Sequence, residues 1–155
     1  MVQSSLNRIL IIGGCGFIGA NLISYLNKQD INNIIVFDNE SVGSSKILNN
    51  LNIEMFYHGD IRDFKSINDL IIEGDQIVLL AGQTNVVKSI ENLSEDLEIN
   101  ILGSLNVLKA ARDNGAQRLV FASSSAPIGS QLPPMHENLA PLPTSPYGAS
   151  KLAVE

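Results

Sequence analysis

Gly13-Gly14-Cys15-Gly16-Phe17-Ile18-Gly19 decides the reading of this chain. Ile9-Leu10-Ile11-Ile12 precedes it and an amphipathic run, Ala20 to Lys28, follows. The order is strand, glycine loop, helix. By itself a glycine triplet marks no more than a tight strand-to-helix turn. In this setting each glycine has a separate duty. Gly13 permits the turn, Gly16 lets a pyrophosphate lie on bare backbone, and Gly19 lets the helix sit close to the sheet. The helix start adds free N–H groups and a partial positive charge.

An acid is expected about 20 residues beyond such a loop. Asp38 stands there, closing a second apolar run, Ile34-Ile35-Val36-Phe37. At a strand's carboxyl end it can accept hydrogen bonds from a ribose 2′-hydroxyl and would repel a 2′-phosphate. Asn39-Glu40-Ser41 offers no arginine to receive one, so NAD is favoured over NADP. The plainer reading of Asp38 is a turn acid.

The 155 residues suffice for one domain with a core. They are 45% hydrophobic, yet no run approaches the roughly 18 apolar residues of a membrane span. Met1-Val2-Gln3-Ser4-Ser5 lacks the charged start of a signal peptide, so a cytoplasmic location is the expectation. A net charge of −6 argues against a nucleic-acid surface. One cysteine and two histidines, with no ligand spacing, give no expectation of a metal. Cys15 reads as a small filler in the glycine loop, with a redox role as the lesser reading.

Strand and helix patterns alternate, which predicts a doubly wound parallel α/β sheet with helices on both faces. The predicted strands are Arg8–Ile12, Asn33–Phe37, Glu54–His58, Gln76–Leu80 and Arg118–Ala122. Several are almost wholly apolar, as expected of strands covered on both sides. Predicted helices are Gly16–Lys28, Asp63–Ile72 and a long one within Ser94–Asn114, with a further short one at Ser44–Asn50. In the long helix Leu97, Ile101, Leu105 and Leu108 share a face, and Asn114-Gly115 ends it. Asp63 reads as an N-cap.

Two loops leave strand ends where a dinucleotide would lie. In Gly59-Asp60-Ile61-Arg62-Asp63, Asp60 can accept from an adenine amino group. In Ala81-Gly82-Gln83-Thr84, small residues allow close approach. Six prolines between Ala126 and Pro146 make a loop over the carboxyl edge, structural or a lid. His136 within it reads as a solvated loop residue rather than a catalytic base.

Ser123-Ser124-Ser125 ends the fifth strand, and Tyr147-Gly148-Ala149-Ser150-Lys151 opens a helix. Ser145 is the expected N-cap and Pro146 suits the first helical position. Four residues apart, Tyr147 and Lys151 share a helix face. An ammonium one turn away favours a phenolate, and a serine hydroxyl could hold a substrate oxygen. Asn100, polar inside an apolar helix, is expected to bond a neighbouring backbone.

These stretches carry a family resemblance. The chain resembles the extended short-chain dehydrogenase/reductases, in their nucleotide-sugar epimerase/dehydratase group, and is UDP-glucose 4-epimerase-like. The matching positions are Gly13–Gly19, Asp38-Asn39 with Gly43, Asp60–Asp63, Leu80-Ala81-Gly82, Asn100 with Gly103-Ser104, Ser123–Ser125 and Tyr147–Lys151. The resemblance implies a Rossmann-type sheet. It implies that Gly13, Gly16, Phe17, Ile18 and Gly19 cradle the NAD pyrophosphate and that Asp38 and Asn39 take the adenosine ribose. Asp60 and Ile61 would flank the adenine, and Leu80, Ala81, Gly82 and Asn100 would line the cofactor. Tyr147 would be the base, Lys151 would hold the nicotinamide ribose and tune Tyr147, and Ser125 would bond the reacting sugar hydroxyl.

Dehydratases of that group carry an acid just after the serine position, whereas Ala126-Pro127 stand here. That favours epimerisation over elimination. Family members continue past the equivalent of Glu155 with more strands and a smaller substrate-binding domain, and they form homodimers. Residues 1–155 are therefore expected to be an incomplete NAD-binding domain that turns over nothing alone. A dehydratase, a keto-sugar reductase and a non-catalytic NAD-binding module are the alternatives.

Overall fold

Ile9-Leu10-Ile11-Ile12 forms β1 (Ile9–Ile12), and its place in the sheet explains its composition. The computed structural model describes residues 8–155. The Met1–Ser5 stretch read above lies outside the described residues. β1 pairs in parallel with β2 (Ile34–Asp38) on one side and β4 (Gln76–Leu79) on the other. Leu10 and Ile12 enter one apolar cluster and Ile11 the other. A strand buried on both faces has no polar side, so it reads as a continuous apolar run.

β3 (Met55–His58) and β5 (Arg118–Phe121) flank these strands, giving the order β3-β2-β1-β4-β5, all parallel. The helix α1 (Phe17–Asn27) covers one face, with Ile23 packed among Ile11, Ile34 and Val36. On the other face α2 (Phe64–Leu70) and the later α5 (Ser104–Asp113) bring Ile67, Leu70, Val107 and Ala110 onto Leu10, Ile35 and Leu79. Strand order reverses between β1 and β4. The crevice outside the carboxyl ends of the strands at that point is where such sheets bind ligands.

All five strands fall within one residue of their predicted bounds. Asp63 caps α2, its carboxylate accepting from the amides of Lys65 and Ser66, and Asn114-Gly115 closes α5 with Gly115 at φ +73°. The short helix after β2 is a 3₁₀ turn, Ser45–Leu48. Coverage on both faces holds for the central strands only. On β3, Met55 and Tyr57 are exposed, and on β5 so is Val120.

The long helix is where the structure departs most from expectation. It is three joined segments: α4 (Leu93–Leu97), a π-helical segment (Glu98–Gly103) and α5. Leu97, Leu105 and Leu108 do share a side, but it is exposed. The buried side carries Asp96, Asn100, Gly103, Ser104, Val107, Ala110 and Ala111. Small residues there let the helix approach closely, and Gly103 lies directly against Ile61. One helix was not foreseen, α3 (Val86–Glu91), whose N-cap Asn85 accepts from the Lys88 amide. The last helix, α6 (Pro146–Val154), begins as expected. No helix among the described residues is long and apolar enough to cross a membrane.

Candidate cofactor and active site

Gly13 adopts φ +89°, a conformation that side chains disfavour. A Cβ there would lie 2.4 Å from the Ala81 nitrogen, so the β1–α1 loop and the end of β4 touch backbone to backbone. The amides of Leu80 and Ala81 both donate to the Ile12 carbonyl, at 2.7 and 2.9 Å, which locks that contact. Gly19 packs on the Gly14 backbone, so its close contact is with the loop that leaves β1 rather than with a strand. Gly16 differs: a Cβ there would find nothing nearer than the Gly13 oxygen at 3.5 Å. Its side is open. Gly16 is also the N-cap of α1 and supplies no capping side chain. Phe17 and Ile18 turn their side chains to solvent, 82% and 60% exposed. The first turn therefore presents its amides to an open cradle, which fits a diphosphate.

Asp38 lies at the rim of that cradle. Its Oδ2 accepts from the Cys15 amide at 2.9 Å and its Oδ1 from the Glu40 amide at 2.7 Å. Each oxygen keeps one acceptor direction for a ribose diol. The bond to Cys15, unforeseen from sequence, ties β2's end to the glycine loop. Cys15 itself is buried, and its thiol is pushed up to about 12, first by burial and then by the charges of Asp38 and Glu40. A thiol held protonated is a weak nucleophile, so the filler reading stands.

Asp60 is heavily engaged. It accepts from Arg62 Nε at 3.0 Å, Arg62 Nη2 at 2.7 Å, the Arg62 amide at 2.9 Å and Asn39 Nδ2 at 2.9 Å. The Arg62 guanidinium holds its carboxyl well below the usual range. All four acceptor directions are used, so an adenine amino group would have to replace one of these donors. Ile61 is a core residue, 4% exposed, and its carbonyl accepts from Asn106 Nδ2 at 3.0 Å.

Asn100 does bond backbone, as expected. Its Oδ1 accepts from the Gln83 amide at 2.9 Å and its Nδ2 donates to the Gln83 carbonyl at 3.0 Å. The same Nδ2 lies 3.0 Å from Asp96 Oδ1 and 3.2 Å from Ser150 Oγ. One buried amide thus fastens the Gly82-Gln83 loop, α4 and α6 together. Gly82 sits beside it, where a Cβ would stand 3.0 Å from Asn100 Oδ1.

At α6, Ser145 Oγ accepts from the Gly148 amide at 3.0 Å and Pro146 occupies the first turn. A second cap comes from α3. Ser89, wholly buried, accepts the Tyr147 amide on its Oγ at 3.1 Å and donates to the Val86 carbonyl at 2.6 Å. Tyr147 is half-buried. One turn on, Lys151 is 6% exposed and its ammonium stands 4.1 Å from the centre of the Phe121 ring on β5. Burial pushes Lys151 down from the usual lysine range. Ser125 is exposed and lines a cavity of about 410 Å³ with Ala126, Thr144 and Ser145 at the mouth of α6. His136 is an exposed loop residue. Among the described residues no group of three or more His, Cys, Asp and Glu is gathered to hold a metal.

The Ser89 contact gives a modest prediction. Ser89→Ala removes a helix cap and leaves the Tyr147 amide buried without its acceptor, which should lower stability by about 1 kcal/mol. Urea unfolding of the two proteins measures it. An unchanged midpoint would mean that Ser145 alone sets the helix start.

A family model for the NAD dependent epimerase/dehydratase family matches residues 9–155. The chain belongs to that family. Among curated members, the UDP-glucose 4-epimerase of Halalkalibacterium halodurans is 33% identical over 150 residues. That match covers 95% of this chain and 44% of the relative, so the chain spans just under half the relative's length. Among solved members, the Thermus thermophilus UDP-glucose 4-epimerase in complex with NAD superposes with a TM-score of 0.85 at 32% identity, covering 95% of this chain and 48% of that one. The Streptomyces venezuelae dTDP-glucose 4,6-dehydratase DesIV, with NAD and TYD bound, gives 0.87 at 32% identity, covering 95% and 49%. The family is NAD-dependent, and the open side of Gly16 with the uncapped start of α1 leaves room for a diphosphate.

Proposed function

We propose that this chain is the NAD-binding half of a cytoplasmic nucleotide-sugar epimerase, which acts as a homodimer. The observation that carries the reading is the gathering of two sets of groups at one sheet edge. The phosphate cradle at Gly16 and the Asp38 carboxylate lie at the ends of β1 and β2. Ser125 follows β5 and shares a cavity with Ser145, the N-cap of α6, the helix that carries Tyr147 and Lys151. Gly13, Gly16, Phe17, Ile18 and Gly19 would hold the diphosphate. Asp38 and Asn39 would hold the adenosine ribose, and Lys151 the nicotinamide ribose.

NAD, when bound, supplies a hydride acceptor that later returns the hydride. Tyr147 takes the proton from the sugar hydroxyl as the carbon is oxidised and gives it back on reduction. The Lys151 ammonium stabilises the phenolate form, and its seat on Phe121 fixes where that charge stands. Ser125 donates to the same sugar oxygen. Ala126-Pro127 after Ser125 puts no acid beside the neighbouring carbon, which supports epimerisation over water elimination. The likeness to DesIV supports a dehydratase as the second reading. Product analysis with a panel of nucleotide sugars separates the two.

Cofactor titration tests the first half of the proposal. NAD should bind at least about tenfold tighter than NADP, about 1.4 kcal/mol, because a 2′-phosphate would face Asp38. NADP binding as tightly as NAD would remove Asp38 from the ribose.

A further inference from the structure

Lys151 is a buried cation seated on a ring instead of a carboxylate. It is 6% exposed, and no ion pair among the described residues engages its ammonium. Buried charges are ordinarily paired. What the ammonium meets is the face of Phe121, 4.1 Å from the ring centre.

The ring is held from behind. Phe121 ends β5, in register with Leu79 of β4, and packs on the core cluster beneath. The chain then runs on to Ser125. Charged groups on the elements around α6 are engaged elsewhere or face water. Lys88 of α3 pairs with Glu95 of α4 at 3.1 Å, and Glu91 is exposed. Asp96 of α4 accepts from Gln83 and Asn100. Glu98 of the π-helical segment is exposed and lies 3.8 Å from Arg62. Glu155, at the end of α6, is exposed and bonds Ser123. Arg118, at the far end of β5, is exposed.

A carboxylate and an aromatic face seat a lysine differently. A carboxylate takes up N–H donors, and its negative charge cancels most of the ammonium's field. A ring attracts the cation through its quadrupole and carries no net charge, so the pair as a whole stays positive. The three N–H donors of the ammonium then remain available for hydroxyls such as those of a ribose. The uncancelled charge acts on the phenol one helical turn away.

We propose that Phe121 is a positioning residue for the reaction: its ring holds the Lys151 ammonium in place as an unneutralised cation, for the cofactor's ribose and for the phenolate of Tyr147. The proposal deepens the epimerase reading, since it rests on Lys151 assisting Tyr147. The end of β5 then places two groups at once, the ring under Lys151 and the hydroxyl of Ser125.

The test weakens the face of the ring while keeping its size. In the protein that carries this chain, Phe121 is replaced by phenylalanines bearing one, two or three ring fluorines, introduced at a reassigned stop codon. Lysine side chains labelled with ¹³C at Cε are titrated by NMR, with Lys151 assigned by its loss in Lys151→Arg. The Lys151 midpoint should fall stepwise with each fluorine. Phe121→Leu, which removes the ring, should lower it by about one pH unit, and Phe121→Tyr should leave it near the wild-type value. If the leucine variant does not fold, the fluorinated series decides alone. At fixed pH, kcat for sugar turnover should fall in the same order as the midpoint. Equal midpoints across the series mean that the ring only fills space, and they overturn the proposal. A falling midpoint with constant kcat overturns it too, because the seat would then not matter to Tyr147. Absence of turnover in the wild-type protein would sink the epimerase reading, while the midpoints still decide whether the ring seats Lys151.

Discussion

Tyr147→Phe, made in the protein that carries this chain, is expected to reduce sugar turnover by about 10²- to 10⁴-fold, the range for loss of a positioned acid–base group. The substitution is clean here. Phenylalanine keeps the half-buried ring, and the backbone of residue 147 stays tied to Ser89 and Ser150. Ser145 continues to cap the helix through Gly148. NAD affinity should stay near the wild-type value, because the diphosphate cradle at Gly16 is built by β1 and α1. Turnover and cofactor binding are therefore measured on the same samples. Loss of turnover with retained NAD binding supports the assigned base. Full turnover in the variant places the base elsewhere, whatever the cofactor affinity.

The path from sequence to that tyrosine was short where structure is local. Ile9–Ile12 is apolar throughout because β1 is central, and its neighbour Gly13 sits at the φ its predicted turn needs. Asp63 and Ser145 cap helices with their own following residues, a contact two or three positions long. Other features could not be read in this way. The Leu97, Leu105, Leu108 stripe shows that one side is apolar, but it does not show which side turns inward. Here the inward side is chosen by small residues that let the helix approach Ile61, and the π-helical turn shifts the register between α4 and α5.

The supports of the candidate site were hidden for a related reason. Ser89 reaches an amide 58 positions away, and Asn100 reaches a serine 50 positions away. No spacing rule covers such pairs, because they depend on how α3, α4 and α6 meet. Asp96 offered even less. On a leucine-rich helix an aspartate reads as part of the solvated face, and only its full burial shows otherwise. The residues that touch ligand in the proposal were legible in motif order, whereas the residues that hold them were not.

The largest expected effect on folding lies at the opposite edge of the sheet. Asp75, wholly buried before β4, binds Arg8 through two bonds, to Nε at 2.8 Å and to Nη2 at 2.7 Å. It also accepts the Ile72 amide at 2.9 Å, while Arg8 Nη2 donates to the Leu70 carbonyl at 2.7 Å. The bond to Asp75 raises Arg8 above the usual arginine range, so the guanidinium stays charged at any pH at which the fold survives. Asp75→Ala leaves that cation part-buried without a counter-charge and strips the Ile72 amide of its acceptor. Breaking a buried pair in this way costs about 3–5 kcal/mol. Replacing both partners together, Arg8→Met with Asp75→Leu, should recover much of the loss, because no charge is then left stranded. Urea unfolding of the wild type, the single and the double variant measures all three. A single-variant loss below about 1 kcal/mol, the level of an exposed pair, would show that water reaches this bridge. NAD affinity of the folded single variant should be unchanged, since the Arg8–Asp75 pair joins the amino ends of β1 and β4 and the cradle lies beyond their carboxyl ends.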